Sequence, residues 1–157
     1  MNIRAVRPEQ RHLDYIWTHM AQDDVFELMN GATPPKSSAD LWTWGEEFCA
    51  FAVVVLVDER PVAFCGVSDH GYDFLVPWGI TVRNPGLSRR QALSVALQVW
   101  DFMREATPGR PYANLSTTNH KRSRAILPWL GFRFTGKTWT SPTGAEFEWF
   151  TYGDVDV

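Results

Sequence analysis

Asp69, His70 and Asp73 stand around Gly71 and are the residues whose types best suit proton transfer. An imidazole titrates nearest neutrality of all side chains, so this group supplies candidate general bases. The same residues beside a glycine also make an ordinary polar turn. Basic side chains gather in two places, Arg89-Arg90 and Lys121, Arg122, Arg124. Either group could meet phosphate by charge, although a short basic run on a helix is more often a solvated face. Cys49 and Cys65 lie in apolar contexts, and no His/Cys spacing matches a metal site, so no metal is expected and a reducing compartment fits.

These groups need elements to hold them. Ile3 to Val6 reads as a short strand, and Pro8-Glu9-Gln10 opens a helix with Leu13, Ile16, Trp17 and Met20 at helical spacing. A second helix is expected over Asp23 to Met29, ended by Asn30-Gly31, and a third over Ala39 to Phe48 with Ser38 as its cap. Phe51 to Val57 and Val62 to Val67 are β-branched runs around Asp58-Glu59-Arg60-Pro61 and predict an antiparallel hairpin. Tyr72 to Val82 predicts a strand bent or bulged at Pro77 and Gly79. Ser88 to Ala106 carries a wide apolar stripe through Ala92, Leu93, Ala96, Val99, Trp100 and Met103, the strongest helix signal in the chain. Tyr112 to Ser116 predicts a strand, and a hairpin of Phe132 to Thr140 with Glu146 to Tyr152 closes the sequence.

Between those last strands runs Asn119 to Phe132. Asn119, or Thr118 before it, can cap a helix whose Ile126, Leu127 and Leu130 share one face, and Gly131 suits a left-handed C′ position. Pro128 predicts a kink or an early loosening.

The chain of 157 residues fits one domain, 1–157, with 45% hydrophobic and 21% charged residues, so it should fold alone. A net charge of −3 provides no basic field for nucleic acid, and no segment approaches the length of a membrane span. Eight Trp residues suggest core packing first and an exposed contact surface second.

The basic helix ending in Leu130-Gly131-Phe132 resembles the last helix of the GCN5-related N-acetyltransferases, and the order of elements matches theirs over nearly the whole chain. The resemblance implies an α/β (α+β) fold, a mixed, mostly antiparallel central sheet with helices on both faces. A ligand is then expected where two strands splay near the long helix. It implies acetyl-CoA as cofactor, held by Val82, Leu87, Ser88, Arg89, Arg90, Ala92, Asn119 and Arg122. The family's glycine-rich phosphate loop corresponds to Asn84 to Ala92, where Arg90 replaces the first glycine. The Tyr that many members use as general acid corresponds to Leu127, which leaves Ser123, Ser116 or a water.

Within the superfamily the chain is similar to the internal virion protein A family of short-tailed phages, through Ile3-Arg4, Glu27-Leu28 to Pro34, the Asn119 helix and Phe147-Glu148-Trp149-Phe150-Thr151. That resemblance implies a phage protein of the host-cell cytoplasm or the virion. Its partners would be other phage or virion proteins, a host protein or its own copies, with catalysis degenerate and no cofactor. The alternative is an active N-acetyltransferase acting on an amine of a host protein or small molecule. An open cleft near Arg89, Arg90 and the Asn119 helix would favour activity, and a cleft filled by Trp and Leu would end that reading.

Overall fold

The two β-branched runs form the hairpin at the centre of the first sheet, β2 (Cys49–Val57) with β3 (Arg60–Ser68). A computed structural model of the chain describes every residue except Phe48. The hairpin turns tightly because Asp58 and Glu59 both take positive φ, 48° and 65°, the geometry whose twist suits paired strands. Asp58 exchanges bonds with Asn2, each at 2.8 Å, and so places β1 (Ile3–Val6) along β2. β4 (Val76–Thr81) completes the sheet in the order β1-β2-β3-β4, antiparallel throughout.

Helices cover both faces. Successive strand residues point to opposite sides. Beside α1 (Gln10–His19) and α2 (Gln22–Met29), α3 (Ser38–Glu46) lies on one side, where Gly45 approaches the Phe64 ring and Ala52. On the other side is α4 (Arg89–Ala106), whose Phe102 meets Phe51 edge-on at 5.2 Å. A second sheet, β5-β7-β6, is built from β5 (Tyr112–Thr117), β6 (Arg133–Thr140) and β7 (Glu146–Tyr152). Trp100 of α4 anchors it, with Tyr112, Phe132 and Tyr152 ring centroids 4.9, 4.6 and 5.2 Å away. Trp100 is thus a core residue, whereas Trp129 is exposed.

Several expectations need correction. β4 is shorter than Tyr72 to Val82 and runs in unbroken register with β3 from Ser68↔Val76 to Ala63↔Thr81, without a bulge. Pro77 is harmless because residues of its parity turn their N–H groups away from β3, as Thr81 shows by donating to Asp24. Ser38 does not cap α3. It is the first helical residue, after Ser37, and its hydroxyl donates to Asp14. The expected end of that helix at Phe48 lies outside the described residues. α5 (Lys121–Trp129) carries Pro128 in its last turn and ends one residue later. Phe132 N–H bonds Leu127 O and Gly131 N–H bonds Pro128 O, a Schellman end with Gly131 at φ 101° as expected.

Candidate active site

The site starts where the two sheets part. Leu75 of the segment before β4 still pairs with the start of β5, giving its N–H to Pro111 O and taking that of Ala113, both at 2.9 Å. Two residues on, the strands are too far apart for a direct bond, and the Asn114 side chain spans them. Its Nδ2 donates to Pro77 O at 2.7 Å while its Oδ1 accepts Leu115 N–H at 2.7 Å. The next residue of that parity, Gly79, turns its N–H and C=O toward β5 across an open gap. At Thr81 the strand edge is closed again, since Asp24 Oδ2 takes the N–H and Ala21 N–H bonds the carbonyl, each at 2.8 Å.

A cavity of about 680 Å³ fills this gap and passes through it, walled by Val95 and Val99 of α4 on one side and by Glu27, Leu28 and Trp44 on the other. The cleft is open rather than filled.

An ionisable cluster opens into this space. Asp24 and Glu27 lie three apart on α2 and so share a face, and His120 precedes α5. His120 Nε2 is 2.8 Å from Asp24 Oδ1 and 3.5 Å from Glu27 Oε2. Its Nδ1 accepts Ser123 N–H at 3.1 Å, which caps α5 and fixes the neutral ring's proton on Nε2, pointing at Asp24. Burial pushes the Glu27 carboxyl up to about 7, with help from Asp24 and against the pull of His120, Thr117 N–H and the Ser116 hydroxyl. Burial alone would lower His120, but the bond to Asp24 and the charges of Glu27, Asp24 and Asp23 together raise it.

The three groups present ligand atoms within 4.8 Å of one another, close enough to suggest a cation. The tautomer argues against it. A metal on Nε2 moves the ring proton to Nδ1, where it would face a second donor, Ser123 N–H, instead of the acceptor that metal-bound histidines have. The cluster suits proton handling better than coordination.

The sequence candidates scatter. Asp69 accepts Gly71 N–H at 3.0 Å and pairs with Arg110, whose guanidinium holds its carboxyl below the usual range. His70 stacks loosely near Tyr72 and Asp73 is exposed, and none of the three lines the cavity, so the turn reading of this segment replaces the base reading. Asn119 does not cap α5. The chain is still in a turn there, Asn119 is exposed, and His120 takes the role one residue later. Val82, Leu87, Ala92, Arg122, Ser116, Ser123 and Leu127 line the cavity, whereas Ser88, Arg89 and Arg90 do not.

Ser88 forms a capping box with Gln91, which uses the third N–H of α4 and leaves those of Arg89 and Arg90 facing outward with exposed side chains. Of the basic run, Arg122 donates to Thr81 Oγ1 at 2.9 Å at the cavity mouth, while Arg124 is spent on Glu148 and the Phe134 ring. Asp24, Glu27 and His120 were not foreseen. The i,i+3 acids on a short helix were visible, but nothing linked them to position 120.

No protein-family model matches the chain, and no curated protein matches it in sequence. Solved structures do match. Ard1 of Thermoplasma volcanium superposes with a TM-score of 0.71 over 99% of this chain and 98% of its own, at 13% identity. The ribosomal-protein-S18-alanine N-acetyltransferase of Escherichia coli gives 0.66 over 96% and 92%, at 11% identity. AAC(6′)-Ib, in complex with ribostamycin and coenzyme A, gives 0.69 over 97% and 93%, at 10% identity. A split sheet around a through-going gap, matched over almost its full length to such structures, gives this chain the fold of the GCN5-related N-acetyltransferases.

Proposed function

We propose that this chain is an acyl-CoA-dependent N-acetyltransferase acting on an amine. The observation that carries the reading is that Gly79, with its backbone aimed into the β4–β5 gap, and the Asp24–Glu27–His120 cluster open into one cavity. The residues present fit acetyl-CoA. The apolar gap suits a pantetheine arm, and the free N–H groups and side chains of Arg89 and Arg90 suit a pyrophosphate by charge without a glycine cradle. Acetyl-CoA, when bound, supplies the activated acetyl group. Glu27, with a carboxyl near 7, is tuned to take a proton from an ammonium at neutral pH. Asp24 and His120 fix each other beside it. The N–H of Gly79 is placed to hold a carbonyl oxygen, an interaction that strengthens as charge develops there. Ser123, on the cavity wall, is the hydroxyl available to return a proton to a departing thiolate, since Leu127 cannot. The acetyltransferases among the structural matches support amine acylation as the class.

A second reading is a scaffold without catalysis, which the sequence resemblance would make a phage protein of the virion or host cytoplasm binding phage or host proteins, and two features favour the lack of catalysis. The Thr81 edge of β4 is already bonded to Asp24 and Ala21, and Arg89 and Arg90 stand outside the cavity. Calorimetric titration with acetyl-CoA separates the two. Micromolar binding that weakens in Arg89→Ala and Arg90→Ala, with thiol release on adding amines, supports the enzyme. Silence at millimolar ligand leaves the scaffold.

A further inference from the structure

We propose that the α2 side of the cavity recognises a small primary amine bearing one aromatic or compact apolar body, and discriminates against polyamines and against neutral analogues. The inference rests on the acyl-transfer reading for its chemistry, but the recognition stands on features of its own.

The first feature is the supply of charge. Among the described residues that line the cavity, the acids and bases apart from a cysteine are Asp24, Glu27, His120 and Arg122. Asp24 is fully engaged, by His120 at one oxygen and by the N–H and hydroxyl of Thr81 at the other. Arg122 leans on Thr81 as well. Glu27 sits 3.5 Å from His120 Nε2, beyond a good hydrogen bond, and its other partners are neutral donors, the Thr117 N–H and the Ser116 hydroxyl, so it is the anion without a close cationic partner. A carboxylate in an apolar cavity is costly to ionise, and an incoming ammonium removes that cost by pairing with it.

The second feature is the wall. Trp44, Trp78, Trp139 and Phe147 line the cavity, and these rings are held in place. Trp78 Nε1 donates to Ser68 at 3.0 Å, and Trp139 packs on Phe147 with centroids 5.4 Å apart. Fixed aromatic faces offer an apolar body contact area and add a cation–π attraction for a nearby ammonium.

The third feature is the roof. Thr143, at the tip of the β6–β7 hairpin, donates to Asn30 Oδ1 at 2.7 Å at the end of α2. The tie joins the hairpin that carries Trp139 to the end of α2 beside Gly31 and Ala32, and these three residues line the cavity. One free anion neutralises one ammonium. The second charge of a polyamine would find no second available carboxylate and would lie in the same cavity as His120 and Arg122.

The test is calorimetry of the full chain with three probes, phenethylamine, phenethyl alcohol and spermidine. The amine should bind at least about tenfold more tightly than the alcohol, the worth of one charge-assisted bond, and more tightly than spermidine. Glu27→Gln should bring the amine down to the level of the alcohol. Equal binding of amine and alcohol, spermidine binding as tightly as the amine, or no amine binding at millimolar concentration would each overturn the proposal. A separate acetyl-CoA titration keeps the two readings apart. Amine discrimination without acetyl-CoA binding sinks only acyl transfer, and acetyl-CoA binding without amine discrimination sinks only this inference.

Discussion

Two polar groups, one lining the cavity at α2 and one outside it at the start of α4, are built in opposite ways. At the α4 end the polar residues Ser88, Arg89, Arg90 and Gln91 are consecutive, and the helix spends half of their hydrogen bonding on its own cap. At the α2 end Asp24 and His120 come together from 96 positions apart, and their surroundings displace the titration of both Glu27 and His120. A local run of polar residues tends to satisfy itself. An assembly of distant ones, buried together, holds groups that neither their neighbours nor water neutralise, and such groups retain chemical capacity.

The largest effect that would sharpen this contrast is at His120. His120→Ala removes a helix cap and strands Asp24 without its buried partner, and should cost about 3 kcal/mol in urea unfolding, whereas His120→Asn, which keeps an acceptor for Ser123 N–H, should recover about 1 kcal/mol of it. A loss under 1 kcal/mol for the alanine variant would mean that the α2 end is as self-contained as the α4 end.

Next is the pH dependence. The Glu27 carboxyl holds its proton more tightly folded than unfolded. Its stabilising contribution is therefore complete below its ordinary value of 4.5 and is withdrawn as pH rises through about 7. His120, also raised, acts in the same direction as pH passes upward through its range. Relative to Glu27→Gln, the native chain should lose on the order of 2 kcal/mol between these limits. Parallel stability curves for the two proteins would remove the perturbed group from the argument.

Ser88→Ala tests the other end. If Ser88 only caps, the variant loses about 1 kcal/mol of stability and, on the acyl-transfer reading, keeps the affinity for acetyl-CoA proposed for the native chain. Lost affinity at unchanged stability would show that the hydroxyl faces a ligand, and the contrast between the ends would fail. The smallest effect belongs to Asp69→Asn. This carboxylate serves a surface pair with Arg110, so on the acyl-transfer reading the rate and pH profile should be unchanged. A shifted profile would restore Asp69 as a base.

These differences trace what the sequence could disclose. β2, β3 and α4 were legible because each signals its burial through its own residues, a β-branched run or a helical stripe. Gly131 was legible because a left-handed C′ position demands little beyond its neighbours. β4 was misjudged because Pro77 and Gly79 read as interruptions, and which way a strand N–H points depends on the partner strand. Asn119 reads as the cap because asparagine caps often, yet the burial that lets His120 cap and meet Asp24 at once comes from α2. The parting of the sheets was foreseen through the family resemblance. The cluster joins α2 to the start of α5, and neither segment alone shows that the two meet.

Asn114 has a consequence of another kind. Its amide is the last rung between the two sheets, donating to Pro77 and accepting from Leu115, and the gap at Gly79 opens just beyond it. It therefore works as a depth stop. An aspartate in its place could still accept from Leu115 but has nothing to give Pro77, and the opening would run back by one pair of residues, about 7 Å of strand. A ligand inserted there would then reach deeper before meeting the floor. On the acyl-transfer reading, that one amide sets the length of acyl chain the gap accommodates, and a series of donors of increasing chain length would read it like a gauge.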